Sequence, residues 1–421
     1  EVIVLDERAL PGGQYFKQPA IESLSIQQKV FDKQSLQGKS LVDDAYGLGV
    51  SMYSQAMVWN IVDGRDGFDV HVIKDNENYC ISTKQIIVAT GAYEKPFPIS
   101  GWTLPGFMTT GAVQTLLRAY RVTPGSKVLV CGNGPLNVQV ASELVRGGVH
   151  VAGVIEASRP HSPRNLKALM AAIFRAPSLI LKGLAYMARL RLAKVPMLYD
   201  HMLIRAEGAN SVEEAYVAAI DRDGKPISGS EKKFEVDSIC VGYGFIPNTE
   251  LTRLLRCVHE YDENLNSLVV ERGDDGATSR SGIFSVGDSG KLQGAQFALA
   301  QGTLAGFSVA RNLGKTFLYD REISQAKRQL SRHKRFQLSL WTLFDYSKAE
   351  YRWPSRESPI ICRCEDVYLS DIVGAIDAGA GDIGAIKKMT RVGMGRCQGR
   401  YCGPTVIKML TEHTHAKLDQ L

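Results

Sequence analysis

Four cysteines near the C-terminus place the strongest constraint on what this chain can fold into. They form two close pairs, Cys362-Arg-Cys364 and Cys397-Gln-Gly-Arg-Tyr-Cys402, which are separated by 32 residues. Two such pairs can supply four thiolates to one centre, and soft sulfur ligands suit zinc or an iron–sulfur cluster. The C-terminal part of the chain must therefore fold so that the two pairs meet.

The spacing of the thiols favours a 2Fe–2S cluster over zinc. Zinc sites more often use Cys-x-x-Cys knuckles on both sides, whereas these pairs are Cys-x-Cys and Cys-x4-Cys. Four glycines between positions 393 and 403 would let the backbone wrap closely around a cluster. The predicted cluster ligands are Cys362, Cys364, Cys397 and Cys402, and a zinc site or uncoordinated thiols are the alternatives.

Composition limits the class of protein. The chain has 421 residues, enough for two to four domains, and its net charge of +6 comes with no nucleic-acid-binding motif, so we expect no nucleic-acid partner. Eight cysteines are few for a secreted disulfide scaffold, which favours a reducing, cytoplasmic location. The four upstream cysteines lie in apolar surroundings and are predicted to be buried thiols: Cys80, Cys131, Cys240 and Cys257.

Three short motifs, each after an apolar strand pattern, predict a flavin site. The first strand ends in an acidic residue, which can accept hydrogen bonds from ribose hydroxyls, and a Gly-Gly turn follows it. The other two motifs are Ala-Thr-Gly and Gly-Asp, and the helix after Gly-Asp can direct its N-terminus at phosphate or flavin. The predicted FAD-binding residues are Asp6 with Glu7 as its rival, Gly12, Gly13, Gln14, Thr90, Gly91, Gly287 and Asp288.

The middle of the chain predicts a second nucleotide site. Gly132-Asn-Gly134-Pro-Leu-Asn137 joins a strand to a helix, and Glu156 ends the next strand, where it could hold a ribose hydroxyl. Asn137 replaces the third small residue of the usual turn, so the packing there must differ. Gly132, Gly134 and Glu156 are predicted to bind NAD or ATP, although a relic domain that binds nothing is the alternative.

The strand and Gly-x-Gly-x-x-Gly turn that should precede the first acidic residue are absent. About 25 residues would be needed for them, given the ordinary spacing between the glycine turn and the acidic residue. The chain begins at Glu1 inside a strand pattern. We therefore expect the sequence to be a fragment of a longer protein, because a chain that starts inside a core strand would leave one strand of the sheet unpaired. The alternative is a chain whose affinity for FAD is badly impaired.

Residues 157–199 contain eight Lys or Arg and no Asp or Glu. The simplest interpretation is a solvated helical face whose Lys and Arg stems pack flat over an apolar core. A surface for anionic lipid and an interface with another subunit are the other interpretations. No run of residues is long and apolar enough to span a bilayer.

Together these features predict an α/β protein of the disulfide-reductase-like flavoprotein fold, with two Rossmann-like nucleotide-binding domains and a small C-terminal helical iron–sulfur module. The predicted FAD-binding domain comprises residues 1–115 and 245–345. The second nucleotide-binding domain is inserted as residues 116–244, and the 2Fe–2S module occupies residues 356–421. No Cys-x-x-Cys lies near either nucleotide motif, which argues against a thioredoxin-reductase or glutathione-reductase mechanism.

Nearly the whole chain resembles the FAD- and iron–sulfur-containing A-type (alpha) subunits of bacterial multi-subunit amino-acid dehydrogenases. This group includes the A-type subunits of opine oxidases, the B subunit of hydrogen cyanide synthase, the alpha subunits of proline and hydroxyproline dehydrogenases and, more distantly, the alpha subunit of sarcosine oxidase. The runs that carry the resemblance are residues 6–14, 90–96, 101–106, 132–136, 241–248, 282–288, 362–366 and 393–402.

The resemblance implies an oxidoreductase subunit that relays electrons from an amino or imino acid of the opine, proline, hydroxyproline or glycine type. The expected partners are a flavin-containing subunit that oxidises the substrate, a small ferredoxin-like subunit, and an acceptor in the respiratory chain, which would bring the protein to the inner face of the cell membrane. The rivals are a self-sufficient NADH-dependent reductase of ferredoxin or quinone and a structural subunit with decayed nucleotide sites. No side chain is identified as a catalytic acid or base.

Overall fold

The computed structural model describes residues 1–20, 33–263, 265, 267–316, 318–345 and 358–414. The helices within these ranges are α1 Lys33–Gly47, α2 Thr110–Thr115, α3 Pro135–Arg146, α4 Leu166–Arg175, α5 Pro177–Leu192, α6 Glu250–Leu254, α7 Ala295–Asn312, α8 Asp320–Leu343, α9 Leu369–Asp377, α10 Ile383–Thr390 and α11 Gly403–Thr414. The first eleven strands are β1 Ile3–Asp6, β2 Ser51–Ser54, β3 Met57–Gly64, β4 Gly67–Lys74, β5 Glu77–Thr83, β6 Ile86–Val88, β7 Ala92–Glu94, β8 Phe107–Thr109, β9 Lys127–Gly132, β10 His150–Glu156 and β11 Met197–Tyr199. The others are β12 His201–Glu207, β13 Glu214–Ala219, β14 Lys232–Glu235, β15 Ser238–Gly242, β16 Phe245–Pro247, β17 His259–Asp262, β18 Ser267–Val270, β19 Ile283–Ser285, β20 Ile360–Cys362 and β21 Val367–Tyr368.

A five-stranded parallel sheet, in the order β11-β10-β9-β15-β8, forms the second nucleotide-binding unit. Its central strand reads as a continuous apolar run because both faces are covered, as is usual for a parallel sheet. Val128 and Val130 of β9 pack with helix α3, whereas Leu129 and Cys131 pack with the antiparallel sheet β12-β13-β14. The alternation of side chains along one strand thus gives this unit a core on each face.

The flavin-binding unit is built from smaller sheets. Strand β6 pairs in parallel with β19, and β1 pairs in parallel with β2. Leu5 of β1, Ile86 of β6 and Ile283 of β19 nevertheless pack in one hydrophobic cluster with the antiparallel sheet β3-β4-β5. The antiparallel pair β7 and β16 carries the chain out to the second unit and back. The five-stranded sheet already contains β8, although the predicted boundary of the inserted domain lies at residue 116.

The C-terminal module has a core of its own. Strands β20 and β21 and helices α9, α10 and α11 enclose Ile372, Ile386 and Leu410, which are fully buried. Cys362 and Cys402 belong to the same cluster, so one thiol of each cysteine pair lies in the core of the module. The run that begins at Ser370 predicts a helix just beyond Cys364, and helix α9 confirms this prediction.

Three features of the structure differ from the sequence predictions. The sequence between the Gly-Gly turn and Asp69 shows little periodicity and predicts loops, but this segment contains helix α1 and strands β2 and β3. Helix α1 is polar and lacks an apolar row, so the sequence carries no signal for it. Cys80 is exposed on β5, so the prediction that it is a buried thiol was wrong, whereas Cys131, Cys240 and Cys257 are buried as predicted. The sequence from Thr109 to Tyr120 predicts a helix, which is present from Thr110, but its last turn, Leu116–Tyr120, is a π-helix. The sequence also predicts a charged helical link over residues 320–350 and a module boundary from Pro354 to Pro359, of which residues 346–350 and 354–357 lie outside the described residues.

Candidate flavin, nucleotide and cluster sites

The loop at Gly287 and Asp288 follows β19 and is held in place by Arg272, by Gln301 and by the close packing of helix α7. The guanidinium of the half-buried Arg272 donates to the carbonyls of Ser285 and Gly287, in each case at 2.8 Å. The Gly287 amide donates to Gln301 Oε1 at 2.9 Å. Gly287 has φ +64°, and a Cβ atom there would lie 2.8 Å from the side chain of Ala298 on α7, so only glycine lets the helix approach this closely.

Asp288 lies where the chain enters helix α7. Its Oδ1 accepts hydrogen bonds from the amides of Gln293 and Gly294, at 2.7 and 2.9 Å. Gln293 Oε1 is buried and has no hydrogen-bond partner among the described residues, nor has Trp341 Nε1, which packs beside the neighbouring Leu292. Buried polar atoms of this kind normally bind something, so these residues fit a polar cofactor such as FAD beside the helix N-terminus.

The remaining predicted flavin residues lie at the carboxyl ends of their strands. Because β6 and β19 are parallel and adjacent, Thr90 and Gly91 emerge at the same edge as Asp288. Thr90 Oγ1 donates to the Asn248 carbonyl at 3.0 Å, which ties this loop to the chain returning from the second unit. The edge is the one at which parallel sheets bind ligands.

Asp6 ends β1, and its Oδ1 accepts a hydrogen bond from the Arg8 amide at 2.9 Å. Its rival Glu7 is exposed. Gly12 has φ +119°, and a Cβ atom there would collide with the Phe16 carbonyl, so the turn requires glycine. Gly13 has φ +59°, and the exposed Gln14 accepts from Lys17 at 2.6 Å. These assignments to FAD stay predictions.

Sequence reasoning missed a buried charged group beside the Gly-Gly turn. Lys17 is 7% exposed and donates to Gln14 and to Thr115 Oγ1. Burial, together with the charges of nearby arginines, lowers the pKa of Lys17 to about 8. Glu94 accepts a hydrogen bond from the Gly111 amide at 2.7 Å, and burial raises the pKa of Glu94. No local pattern could have revealed the pair, because Lys17 and Glu94 approach only through the fold.

The second glycine turn is packed more tightly than its sequence suggested. A Cβ atom on Gly132 would collide with the Gly242 carbonyl of β15. Asn137 Nδ2 donates to that carbonyl at 2.9 Å, and Thr110 Oγ1 donates to Asn137 Oδ1 at 2.9 Å. Asn137 therefore takes the place of the usual small residue by making a hydrogen-bonded bridge between helix α3 and β15.

Glu156 lies beneath this turn, almost fully buried. Its Oε2 accepts from the Gly134 amide and its Oε1 from the Ser158 amide, both at 3.1 Å. Burial raises the pKa of Glu156 to about 8, and these two hydrogen bonds act in the opposite direction. Asn133 Oδ1 and Ser158 Oγ are buried without hydrogen-bond partners among the described residues. The polar groups needed for a nucleotide are therefore present.

Two other features bear on this site. Arg159, which the sequence placed near Glu156, instead pairs with Asp200 at 2.7 Å. A cavity of about 510 Å³ lies in this domain, but Lys127 and His150, the first residues of β9 and β10, line it. Parallel sheets bind ligands at the opposite, carboxyl edge, so this cavity does not belong to the nucleotide site.

The structure brings the four C-terminal cysteines together. Cys364 lies near Cys397 and Cys362 lies near Cys402, close enough for each thiol to perturb the other electrostatically, so each thiol of one pair has a neighbour in the other. Burial and, to a smaller extent, the nearby Cys362 raise the pKa of Cys402 to about 12. In this arrangement no three His, Cys, Asp or Glu side chains within the described ranges form a ready-made metal cage. Four adjacent thiols are nevertheless the donor set that a 2Fe–2S cluster requires.

The glycines of the module permit this meeting. A Cβ atom on Gly395 would collide with the Cβ of Cys364. Gly393 and Gly399 have φ +77° and +79°, a left-handed conformation that favours glycine. The second cysteine loop can therefore lie this close to Cys364 only because position 395 carries no side chain.

Both cysteine loops also contact the rest of the protein. Trp102 Nε1 donates to the Ile360 carbonyl at 2.7 Å, and the guanidinium of Arg363, between the first two cysteines, lies 5.2 Å from the Trp102 ring centre. This contact connects the first loop to the core of the second nucleotide-binding unit, in which Trp102 is buried.

The second loop contacts the connection between the two nucleotide-binding units. Arg400, between the last two cysteines, forms a two-point ion pair with Glu250, with Nε–Oε1 at 2.6 Å. Its guanidinium lies 5.6 Å from the ring centre of Tyr93 on β7, and Tyr401 packs edge-to-face on the same ring at 5.7 Å. The module is thus held against β7, directly after the Thr90-Gly91 loop.

The architecture matches known families. Residues 1–302 match the model of the pyridine nucleotide-disulphide oxidoreductases, and residues 360–412 match the BFD-like [2Fe-2S] binding domain. The HcnB subunit of hydrogen cyanide synthase from Pseudomonas aeruginosa is 32% identical over 343 residues, covering 80% of this chain and 73% of that protein. The A-type subunit of opine oxidase from Agrobacterium tumefaciens is 28% identical, covering 97% and 80%. The crystal structure of L-proline dehydrogenase from P. horikoshii is 20% identical with a TM-score of 0.68, covering 100% and 70%.

Proposed function

The chain belongs to the pyridine nucleotide-disulphide oxidoreductase family, and we propose that it is the electron-transferring subunit of a heteromeric dehydrogenase that oxidises an amino or imino acid. It is an oxidoreductase whose cofactors are FAD and, in the C-terminal domain, a 2Fe–2S cluster. Its relatives include subunits of hydrogen cyanide synthase and of opine oxidase. The proposed substrates are of the opine, proline, hydroxyproline or glycine type.

The observation that carries the proposal is the contact of both cysteine loops with the nucleotide-binding units. Arg363 and Arg400 each lie between two predicted cluster ligands, and each reaches an aromatic ring of the main body. A cluster module attached only by its linker would be free to rotate. These contacts instead hold the cysteine loops against the main body next to Tyr93 of β7, which follows the Thr90-Gly91 loop, and this proximity supports electron exchange with a flavin bound there.

When bound, FAD accepts electrons in pairs and a 2Fe–2S cluster accepts them singly, so the two can connect substrate oxidation to a one-electron carrier. The residues of this chain supply binding and orientation. Arg272 and Gln301 fix the loop of Asp288, and Asp288 orders the start of α7. Gly393, Gly395 and Gly399 let the two cysteine loops close on each other.

The proposed partners follow from the names of the relatives, which are subunits of larger enzymes. A second flavin-containing subunit would oxidise the substrate. A respiratory-chain acceptor and a small ferredoxin-like subunit would complete the path. The amino-acid specificity would then belong to the flavin-containing partner.

Purification of the complex from its native host tests this function. The complex should contain a second flavoprotein, and an amino or imino acid should reduce a dye acceptor and produce the paramagnetic signal of a reduced 2Fe–2S cluster. The matched variants are Cys364→Ser, which should lose the signal, and Cys80→Ser, which alters an exposed thiol outside the module and should keep it. A complex that turns over such substrates equally well with Cys364→Ser would contradict the relay.

A second candidate is a self-sufficient NADH-dependent reductase. The second glycine turn favours it, because Glu156 lies beneath Gly134 and because Asn133 Oδ1 and Ser158 Oγ are buried there without a partner in the described part of the chain. NADH should then bleach the flavin of the isolated chain rapidly, without a partner. The absence of bleaching, with normal reduction by substrate in the complex, favours the heteromeric dehydrogenase.

A further inference from the structure

Helices α4 and α5 expose large apolar side chains in regular rows. On α4, Leu166 and Phe174 lie eight positions apart on one face and are 59% and 77% exposed. On α5, Leu181, Leu184 and Leu192 follow the same helical spacing and are 65%, 59% and 84% exposed. Such exposure does not fit the interpretation in which Lys and Arg stems cover an apolar core. A row of this kind marks an interaction surface.

The same segment is strongly cationic, with eight Lys or Arg and no acidic residue between positions 157 and 199. Arg159, Arg175 and Arg189 make contacts within the protein, to Asp200, to helix α8 and to Ser142. The other five are exposed, among the apolar rows and at their ends: Arg164, Lys167, Lys182, Arg191 and Lys194.

The geometry of the pair is that of helices lying on a surface. None of the described helices is long and apolar enough by itself to cross a membrane; the segments Pro163–Arg175 and Pro177–Leu192 meet the requirement only together, and a bend of 113° separates them. Ala172 packs with α8, and Leu190 is fully buried in the core beneath α3. A helix with one face in a protein core cannot be surrounded by lipid, but it can lie in the plane of the headgroups.

We propose that the face formed by α4 and α5 binds the surface of a membrane that contains anionic lipids, with its leucines and Phe174 in the acyl boundary and its Lys and Arg at the headgroups. Protein interface cores are depleted of Lys, whereas Lys182 here lies between Leu181 and Leu184. Interfacial helices combine these residue types, because a Lys stem can lie in the apolar layer while its ammonium reaches the headgroups. This inference does not depend on the proposed function.

Flotation with lipid vesicles tests the proposal on the full-length holoprotein without substrate. The protein should float with vesicles of mixed phosphatidylglycerol and phosphatidylcholine, less at high salt, and not with phosphatidylcholine alone. The double variant Lys182→Ala with Arg191→Ala should weaken binding roughly 10- to 30-fold, since each cation near an anionic surface contributes about as much as a several-fold change in affinity. The double variant Leu181→Ser with Leu184→Ser should abolish flotation.

The matched control is Leu48→Ser with Leu313→Ser, which removes two leucines that are 85% and 45% exposed outside these helices and should float like the wild type. All variants should keep the wild-type melting temperature, because every altered side chain is exposed. The proposal would be overturned if the wild type did not float, or if the Leu181 and Leu184 variant floated as well as the wild type. It would also be overturned if the wild type failed to bind vesicles and that variant lost a protein that co-purifies with the wild type, because this result would identify a protein interface.

Discussion

Replacing Glu156 by Gln should remove a pH-dependent loss of stability from the second nucleotide-binding unit. The carboxyl group is 1% exposed and accepts hydrogen bonds from Gly134 and Ser158. Burial raises its pKa from 4.5 to about 8. The carboxyl therefore holds its proton in the folded protein over a range in which the unfolded chain releases it.

The sign and size of the effect follow from proton linkage. Below pH 4.5 Glu156 is protonated in both states, and the group contributes no pH dependence. As the pH rises from 4.5 to about 8, only the unfolded chain loses the proton, so the free energy of unfolding falls. At about 1.4 kcal/mol per pH unit, the full fall is about 5 kcal/mol, and the curve is level above pH 8.

The curve of unfolding free energy against pH for the Glu156→Gln variant should cross that of the wild type. Its carbonyl oxygen replaces one acceptor, but its amide nitrogen cannot accept the second hydrogen bond, which should cost about 1–3 kcal/mol near pH 5. Near pH 8 the variant should be the more stable protein, because glutamine carries no proton that unfolding can release. Urea unfolding followed by tryptophan fluorescence from pH 5 to 9 measures both curves.

Glu235→Gln is the control, because Glu235 is an exposed carboxylate on β14 of the same unit. Its curve should run parallel to that of the wild type. If the curves of the wild type and Glu156→Gln are also parallel across this range, the carboxyl is not held protonated by burial, and the reasoning fails.

Three other changes test the packing and the cluster. Gly132→Ala should lower the melting temperature by several degrees, because the added Cβ collides with the backbone of β15. Its control, Gly183→Ala in α5, has open space around the added Cβ and should stabilise the protein by about 0.5–1 kcal/mol. Equal melting temperatures for the two variants would contradict this reasoning. Arg400→Ala should speed proteolytic release of the C-terminal module and leave the iron content unchanged. The loss in free energy of unfolding should be at most about 1 kcal/mol, since the ion pair of Arg400 with Glu250 is more than one third exposed. Unchanged proteolysis would show that this ion pair does not hold the module. Cys397→Ser should reduce the iron and sulfide content, while Cys80→Ser should leave both unchanged, as elemental analysis would show; equal contents would exclude Cys397 as a ligand.

The positions that sequence reasoning identified are those under local constraint. Gly287 and Gly393 have positive φ, and Gly132 and Gly395 lie where a Cβ would collide with another part of the chain. The chemistry of such positions admits few residues, so the motif is visible in the sequence. Helix α1 was missed for the opposite reason, because it is polar and buries little, and a helix without an apolar row gives no periodic signal.

Groups whose properties depend on distant neighbours could not be predicted. The lowered pKa of Lys17 and the raised pKa of Glu94 result from burial created by several segments together. The exposure of Cys80 was wrongly predicted because alternation in a strand does not say which face is covered. Glu156 was predicted to be a nucleotide ligand from its position, but only the fold shows the burial that raises its pKa to about 8.

The amino-acid sequence by itself determined the four candidate sulfur ligands, the glycine turns and their order along the chain, because each depends on residue type and on neighbours a few positions away. Only the tertiary structure decided where the cluster module lies. The contact between Trp102 and Ile360 joins residues 258 positions apart, and that between Arg400 and Glu250 joins residues 150 apart. The local conformational preferences of the chain do not predict these long-range contacts. The contacts form only when the separate units pack together and bury the surfaces between them.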